Sequence, residues 1–73
     1  MEKVAIKTEF IKLGQVLKLG NLVGQGSDAK ILIAEGEVLV NGEVELQRGK
    51  KIRPGDIVEL KGEGKIQVVA QEG

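Results

Sequence analysis

Seventy-three residues allow one domain with a small core, and a hydrophobic content of 41% is enough to fill it. Eleven basic residues against eleven acidic ones leave no net charge, so a nucleic-acid surface here must come from segregated charge and not from an excess of cations. The absence of cysteine excludes disulfides and thiolate metal sites, and no apolar run approaches the ~18 residues of a membrane span, so the expected setting is cytoplasmic.

The chain opens Met1-Glu2-Lys3-Val4-Ala5-Ile6-Lys7, an alternating stretch with an early acid that does not resemble a signal peptide. The alternation predicts a strand over 2–7 with Val4 and Ile6 facing inward. Phe10, the sole aromatic residue, is expected in the core. Leu13, Val16, Leu17 and Gly20 then recur at three- and four-residue spacing, with Gln15 and Lys18 on the other face. This predicts a short amphipathic helix over about 13–19, with Asn21 near its end and no obvious cap at its start. Leu22-Val23-Gly24-Gln25-Gly26 reads as a loop. Ser27 offers a helix cap, Asp28 suits the positive end of the helix dipole, and Ala29, Leu32 and Ile33 form an apolar stripe. A second helix is expected over 28–35, with Gly36 just past its end.

The remainder reads as sheet. Glu37-Val38-Leu39-Val40, Asn41-Gly42 and Glu43-Val44-Glu45-Leu46 give a strong hairpin signal, because Asn-Gly tolerates the positive φ angles of a type I′ turn. The expected register places Val38, Val40, Val44 and Leu46 on one face and Glu37, Glu43 and Glu45 on the other. Residues 48–51 are expected in a loop. Arg53-Pro54-Gly55-Asp56 reads as a type II turn. Strands are expected over 57–60 and 65–70, the last pairing with the first. The order β-α-α-β-β-β-β predicts an α+β fold, two short helices packed on a small, mostly antiparallel sheet.

Charge is unevenly distributed along this layout. Arg48, Lys50, Lys51 and Arg53 place four cations within six residues with no acid among them. Lys12, Lys18 and Lys30 add positive charge near the helices, whereas Glu35, Glu37, Glu43 and Glu45 concentrate elsewhere. Such segregation suits phosphate contact through counterion release, while the plainer reading is a solvated charged loop.

From Leu13 to Leu60 the chain resembles the S4 (alpha-L) RNA-binding domain family. The likeness is carried by Leu13-Gly14-Gln15-Val16-Leu17-Lys18-Leu19, by Ser27-Asp28-Ala29-Lys30-Ile31-Leu32-Ile33, by Gly36-Glu37-Val38-Leu39-Val40-Asn41-Gly42 and by Arg53-Pro54-Gly55-Asp56. Any one piece is weak; the ordered set is specific. Members often begin the first helix with an Arg-Leu-Asp-like triplet, where this chain has Lys12-Leu13-Gly14. The small size is similar to the stand-alone bacterial YaaA-like and YbcJ-like members. The resemblance implies an alpha-L motif over about 12–60, with extra terminal strands at 2–7 and 65–70, in a single domain over 1–73.

It also implies a non-catalytic partner for structured RNA, ribosomal or tRNA-like, held on the two helices and the following hairpin. The residues expected to contact RNA are Lys12, Lys18, Gln25, Ser27, Lys30, Asn41, Arg48, Lys50, Lys51 and Arg53. Ser27, Asn41 and Gln25 each have an equally good local reading, as helix cap, turn residue and exposed loop residue. With no Tyr or Trp to stack bases, recognition is expected through backbone, shape and 2′-hydroxyl groups. The rival reading is a protein-interaction or ribosome-assembly module that keeps the fold with little RNA affinity.

Other classes are weaker. The chain has no His or Cys, its only hydroxyl side chains are Thr8 and Ser27, and no carboxylate pair sits in an evident apolar pocket. No enzyme, cofactor, metal or small-molecule substrate is expected. Gly24-Gln25-Gly26-Ser27-Asp28-Ala29 formally fits a dinucleotide fingerprint, but a helix precedes it where that motif needs a strand. A sulfur-carrier reading needs a terminal Gly-Gly, and this chain ends Gln71-Glu72-Gly73.

Overall fold

The computed structural model describes residues 1–24 and 26–71, with Gly26 and Ser27 described by backbone alone. Strand β1 (Glu2–Ile6) leads through a two-residue strand β2 (Ile11–Lys12) directly into helix α1 (Leu13–Leu19), followed by helix α2 (Gly26–Ala34). Strands β3 (Val38–Val40), β4 (Glu43–Val44), β5 (Lys51–Ile52), β6 (Ile57–Leu60) and β7 (Gly64–Ala70) complete the chain. Five strands form one sheet in the order β1-β7-β6-β3-β4, while β2 and β5 form a separate two-stranded ladder. Among the described residues only β1 and β7 run parallel; every other pairing is antiparallel.

Alternation explains how the sheet acquires an inner face. Val4 pairs with Val68, Ile66 with Val58, and Val38 with Leu60, so residues of like parity from four strands point the same way. All six are buried, together with Leu13, Val16 and Leu17 of α1 and Ala29 and Ile33 of α2. The core is therefore a single aliphatic layer between one sheet face and the two helices. Val16 and Leu17 lie adjacent because a short helix covers the sheet with a stripe wider than one residue.

Both helices stop by the same device. At the end of α1 the Asn21 N–H donates to the Lys18 carbonyl and the Leu22 N–H to the Leu17 carbonyl, with Asn21 at φ 59°. At the end of α2 the Gly36 N–H donates to Ile33 and the Glu37 N–H to Leu32, with Gly36 at φ 78°. This paired 5→2 and 6→1 bonding satisfies terminal carbonyls that would otherwise lack partners, and it turns the chain sharply.

Several expectations are corrected. The ladder of β2 and β5 was not foreseen, and it moves Lys51 from a loop into a strand, paired beside Ile52. Two residues carry too little periodicity to register as a strand. The second helix begins at Gly26 and ends at Ala34, so Ser27 lies inside the first turn instead of capping it. Phe10 is half-buried and outside the core cluster.

The hairpin register also differs. Val40 pairs with Glu43 and Leu39 with Val44 across the two-residue turn. Directly paired residues share a face, so Glu43 lies on the side of Val40, and Val44 lies on the opposite side with Leu39. Val44 and Leu46 are accordingly exposed, at 50% and 60%. The ladder ends at Val44, two residues earlier than expected. Asn41 and Gly42, at φ 51° and 85°, have the pair of positive angles a type I′ turn requires.

Helix α1 presses on the sheet at Gly20, where an added Cβ would overlap the fully buried Ile66 side chain. The backbone there, at φ −84°, suits any residue, so the constraint is one of space. Gly20→Ala is expected to destabilise the protein by about 1–3 kcal/mol through overpacking. A urea titration followed by far-ultraviolet circular dichroism checks this, and an unchanged midpoint would show that Ile66 moves aside freely.

Candidate nucleic-acid interface

A helix start leaves backbone N–H groups without intrahelical partners. In α1 these are met from three sources. The Lys12 N–H donates to Oε1 of Gln15 at 3.2 Å. The Leu13 N–H donates to the Lys50 carbonyl at 2.9 Å, and the Gly14 N–H to the Arg48 carbonyl at 3.2 Å. The segment after the hairpin is thereby fastened across the helix start. The β2–β5 ladder continues the attachment, with Ile11 opposite Ile52 and Lys12 opposite Lys51.

Gly14 permits the close approach. A Cβ there would lie 2.9 Å from Cγ and 3.3 Å from Cδ of Arg48, so the arginine stem crosses the helix where a side chain would otherwise stand. The stem covers backbone while the guanidinium stays accessible. The resulting concavity, about 440 Å³, is lined by Lys12, Gly14, Gln15, Lys18, Arg48 and Gly49. Three of these residues are cationic and none is acidic. Lys12, at the cap position just before α1, and Gln15 and Lys18 within it are spaced by three residues, which sets them on one exposed side.

A second groove borders the β2–β5 ladder through Lys51. It holds Asn41, Lys50, Lys51 and Arg53, but also Glu43, Glu45 and Asp56. Positive charge in this groove is offset by carboxylates within the same walls. Lys51 stands directly opposite Lys12, a like-charge pairing that is unfavourable in isolation and is eased when an anion sits nearby. The Lys51 ammonium lies 4.9 Å from the centroid of the Phe10 ring, a cation–π contact. That contact occupies one face of the chain's single aromatic ring.

The ten residues expected to contact RNA thus separate. Lys12, Lys18 and Arg48 come together without acids; Lys50, Lys51, Arg53 and Asn41 share a mixed groove. Lys30 is exposed on α2 and lines neither hollow. Ser27 lies in the first turn of α2, and Gln25 falls outside the described residues. Gly14 and Gln15 were missed. Their signal was local: a Gln three residues after Lys12 at the helix start, and a glycine inside the helix where a side chain is the norm.

Asn41 is engaged in structure. Its Oδ1 accepts from the Ile57 N–H at 2.9 Å, and its Nδ2 donates to Oδ1 of Asp56 at 3.1 Å. Oδ2 of Asp56 in turn accepts from the Arg53 N–H at 2.8 Å. The hairpin turn and the Pro-Gly turn are therefore tied side to side. Among the described residues, no group of three or more acidic side chains is placed to hold a metal ion, and no helix is long and apolar enough to cross a membrane.

Two short helices are followed by a hairpin, with a cation-lined hollow at the start of the first helix. The solution structure of YbcJ from Escherichia coli, described as revealing an alpha-L motif involved in RNA binding, superposes with a TM-score of 0.74 at 39% identity. It covers 96% of this chain and 89% of YbcJ. The S4 domain family matches residues 4–69, and the chain belongs to that family. It is similar to the "Probable ribosome maturation protein RlbA" of Bacillus subtilis (strain 168), with 48% identity over 66 residues, 90% of this chain and 93% of RlbA. Against small ribosomal subunit protein uS4 of Kosmotoga olearia the identity is 33% over 67 residues, 92% of this chain but 32% of uS4.

The Asn41 bridge sets a stability test. Asn41→Ala removes two hydrogen bonds and places a Cβ residue without a local polar partner at positive φ, for an expected loss of about 1–2 kcal/mol. A thermal melt that matches the unmodified protein would show that the two turns hold without the bridge.

Proposed function

We propose that this chain is a non-catalytic RNA-binding protein that holds structured RNA, ribosomal or tRNA-like, through backbone and shape contacts. The observation that carries the proposal is the hollow where Lys12, Lys18 and Arg48 converge with no carboxylate in its walls. Phosphates contribute most of the sequence-independent affinity, and a planar guanidinium can engage one through two parallel hydrogen bonds. Gln15 adds a neutral donor suited to a 2′-hydroxyl. The mixed groove with Lys50, Lys51 and Arg53 extends the surface as a weaker flank, in which Glu43 and Glu45 repel phosphate.

The family match, the RNA-binding description of YbcJ and the ribosomal names of RlbA and uS4 all support this reading. They favour ribosomal RNA; in this reading the setting is cytoplasmic and the chain acts as one domain whose alpha-L core spans about 12–60. The engagement of Phe10 by Lys51 speaks for helical RNA over stacked single strands.

Anisotropy titrations with a fluorescent ribosomal RNA hairpin, at two salt concentrations, test the assignment. Each phosphate contact contributes about 0.9 to the slope of log K against log salt. Changing Lys12, Lys18 and Arg48 together to Ala is expected to weaken binding at least tenfold and to reduce that slope by about two to three. The corresponding Lys50, Lys51 and Arg53 variant is expected to lose less. Equal affinity and slope in the first variant and the unmodified protein would remove the proposed surface.

Gly14→Ala gives a subtler check. The Arg48 stem is flexible enough to yield, and Ala favours helix, so the fold is expected to persist while the guanidinium is displaced. RNA affinity should fall about threefold with the melting temperature unchanged or raised. A variant with intact affinity would show that the position of Arg48 does not matter.

A further inference from the structure

A second concave surface has the opposite character. Leu22 and Leu32, both half-buried, line two adjoining hollows of about 390 Å³ each. One continues to Ile31, which is 55% exposed on α2, and to Asp28; the other continues over Leu60 to Glu35, Glu37 and Glu63. Because Leu22 and Leu32 belong to both, the hollows form one groove with an aliphatic floor. Its charged walls carry four acids, against Lys61 as the single lining cation. None of its lining residues is shared with the hollow of Lys12, Lys18 and Arg48.

We infer that this groove docks a Lys/Arg-rich protein segment that inserts aliphatic side chains against Leu22, Ile31 and Leu32. An exposed isoleucine beside half-buried leucines is the composition of an anchoring site, and apolar grooves of this kind receive the apolar face of a bound segment. Charge decides the occupant. Carboxylates at both ends repel RNA phosphate and attract cations, steering a basic partner to the groove and fixing its orientation. Such a partner would sit on a surface separate from the one proposed for RNA, so the two can be held together.

The test uses the full chain labelled with 15N and methyl 13C, titrated at low salt with a synthetic 14-residue peptide of Lys, Arg and Leu at helical spacing. Two control peptides replace every Leu by Ser, or every Lys and Arg by Glu. Shifts of the Leu22, Ile31 and Leu32 methyl signals are expected with the first peptide alone. Ile31→Ser should weaken its binding at least fivefold, and E35K/E63K at least tenfold, with the melting temperature unchanged in both, RNA affinity unchanged in Ile31→Ser and not reduced in the charge reversal. All three substituted positions are exposed, so the fold is retained.

Four outcomes would overturn the inference. They are absence of methyl shifts up to millimolar peptide, equal binding of the Ser control, shifts confined to Val44 and Leu46, and movement of the same methyls by the RNA hairpin or by dilution of the protein alone. The last result would assign the groove to RNA or to a second copy of the chain. The RNA titrations read Lys12, Lys18 and Arg48, so each proposal can fail without the other.

Discussion

The first turn of α1 has no acidic residue and no side-chain hydroxyl to satisfy its backbone donors, so it borrows carbonyls from a segment more than thirty residues later. The contacts from Leu13 to Lys50 and from Gly14 to Arg48 do two things at once. They complete a helix of seven residues that would be too short to persist alone, and they fix the path of the chain after the hairpin. The short ladder of β2 with β5 depends on the same attachment, as does the buried position of Ile52 beneath it. Gly14 makes the approach close enough for the Arg48 stem to lie on the helix. Structure and candidate site therefore share one set of contacts.

A neutral chain can still have a directed electrostatic surface. The acids and bases are equal in number, but the fold sorts them. Lys12, Lys18 and Arg48 form a hollow free of carboxylates, and Asp28, Glu35, Glu37 and Glu63 frame an apolar groove elsewhere. Between these extremes, the groove with Lys50, Lys51 and Arg53 is balanced by Glu43, Glu45 and Asp56. Opposed charge on separate surfaces limits non-specific adhesion to nucleic acid while keeping a local attractive field for a chosen phosphate array. The two proposals made for this chain place an anionic partner and a cationic partner on those separate surfaces.

Periodicity made the helices legible, and Asn41-Gly42 made the hairpin legible, because helix stripes and tight turns are set by residues close in sequence. The face assignment within that hairpin failed for Val44 and Leu46. Both were placed with Val40 because all are apolar, yet cross-strand pairing fixes parity regardless of hydrophobicity. The separation of the basic cluster was also hidden. Arg48 and Lys50 are neighbours on paper, but the turn at Arg48 and Gly49 sends them to different hollows. Asn41 read equally well as contact or turn residue, and its bonds to Asp56 and Ile57, fifteen and sixteen positions away, give it a structural task.

By itself the sequence determined the α+β class, the two helices and their stops at Asn21 and Gly36, the central hairpin and the aliphatic nature of the core. Each follows from short-range propensity or from alternation that water enforces on any chain with one buried face. The tertiary structure alone decided which cations share a hollow, which are matched by carboxylates, and that Gly14 admits Arg48. Those depend on pairing between segments remote in sequence, where a one-residue change of register or a single missing Cβ redirects side chains without altering the local pattern.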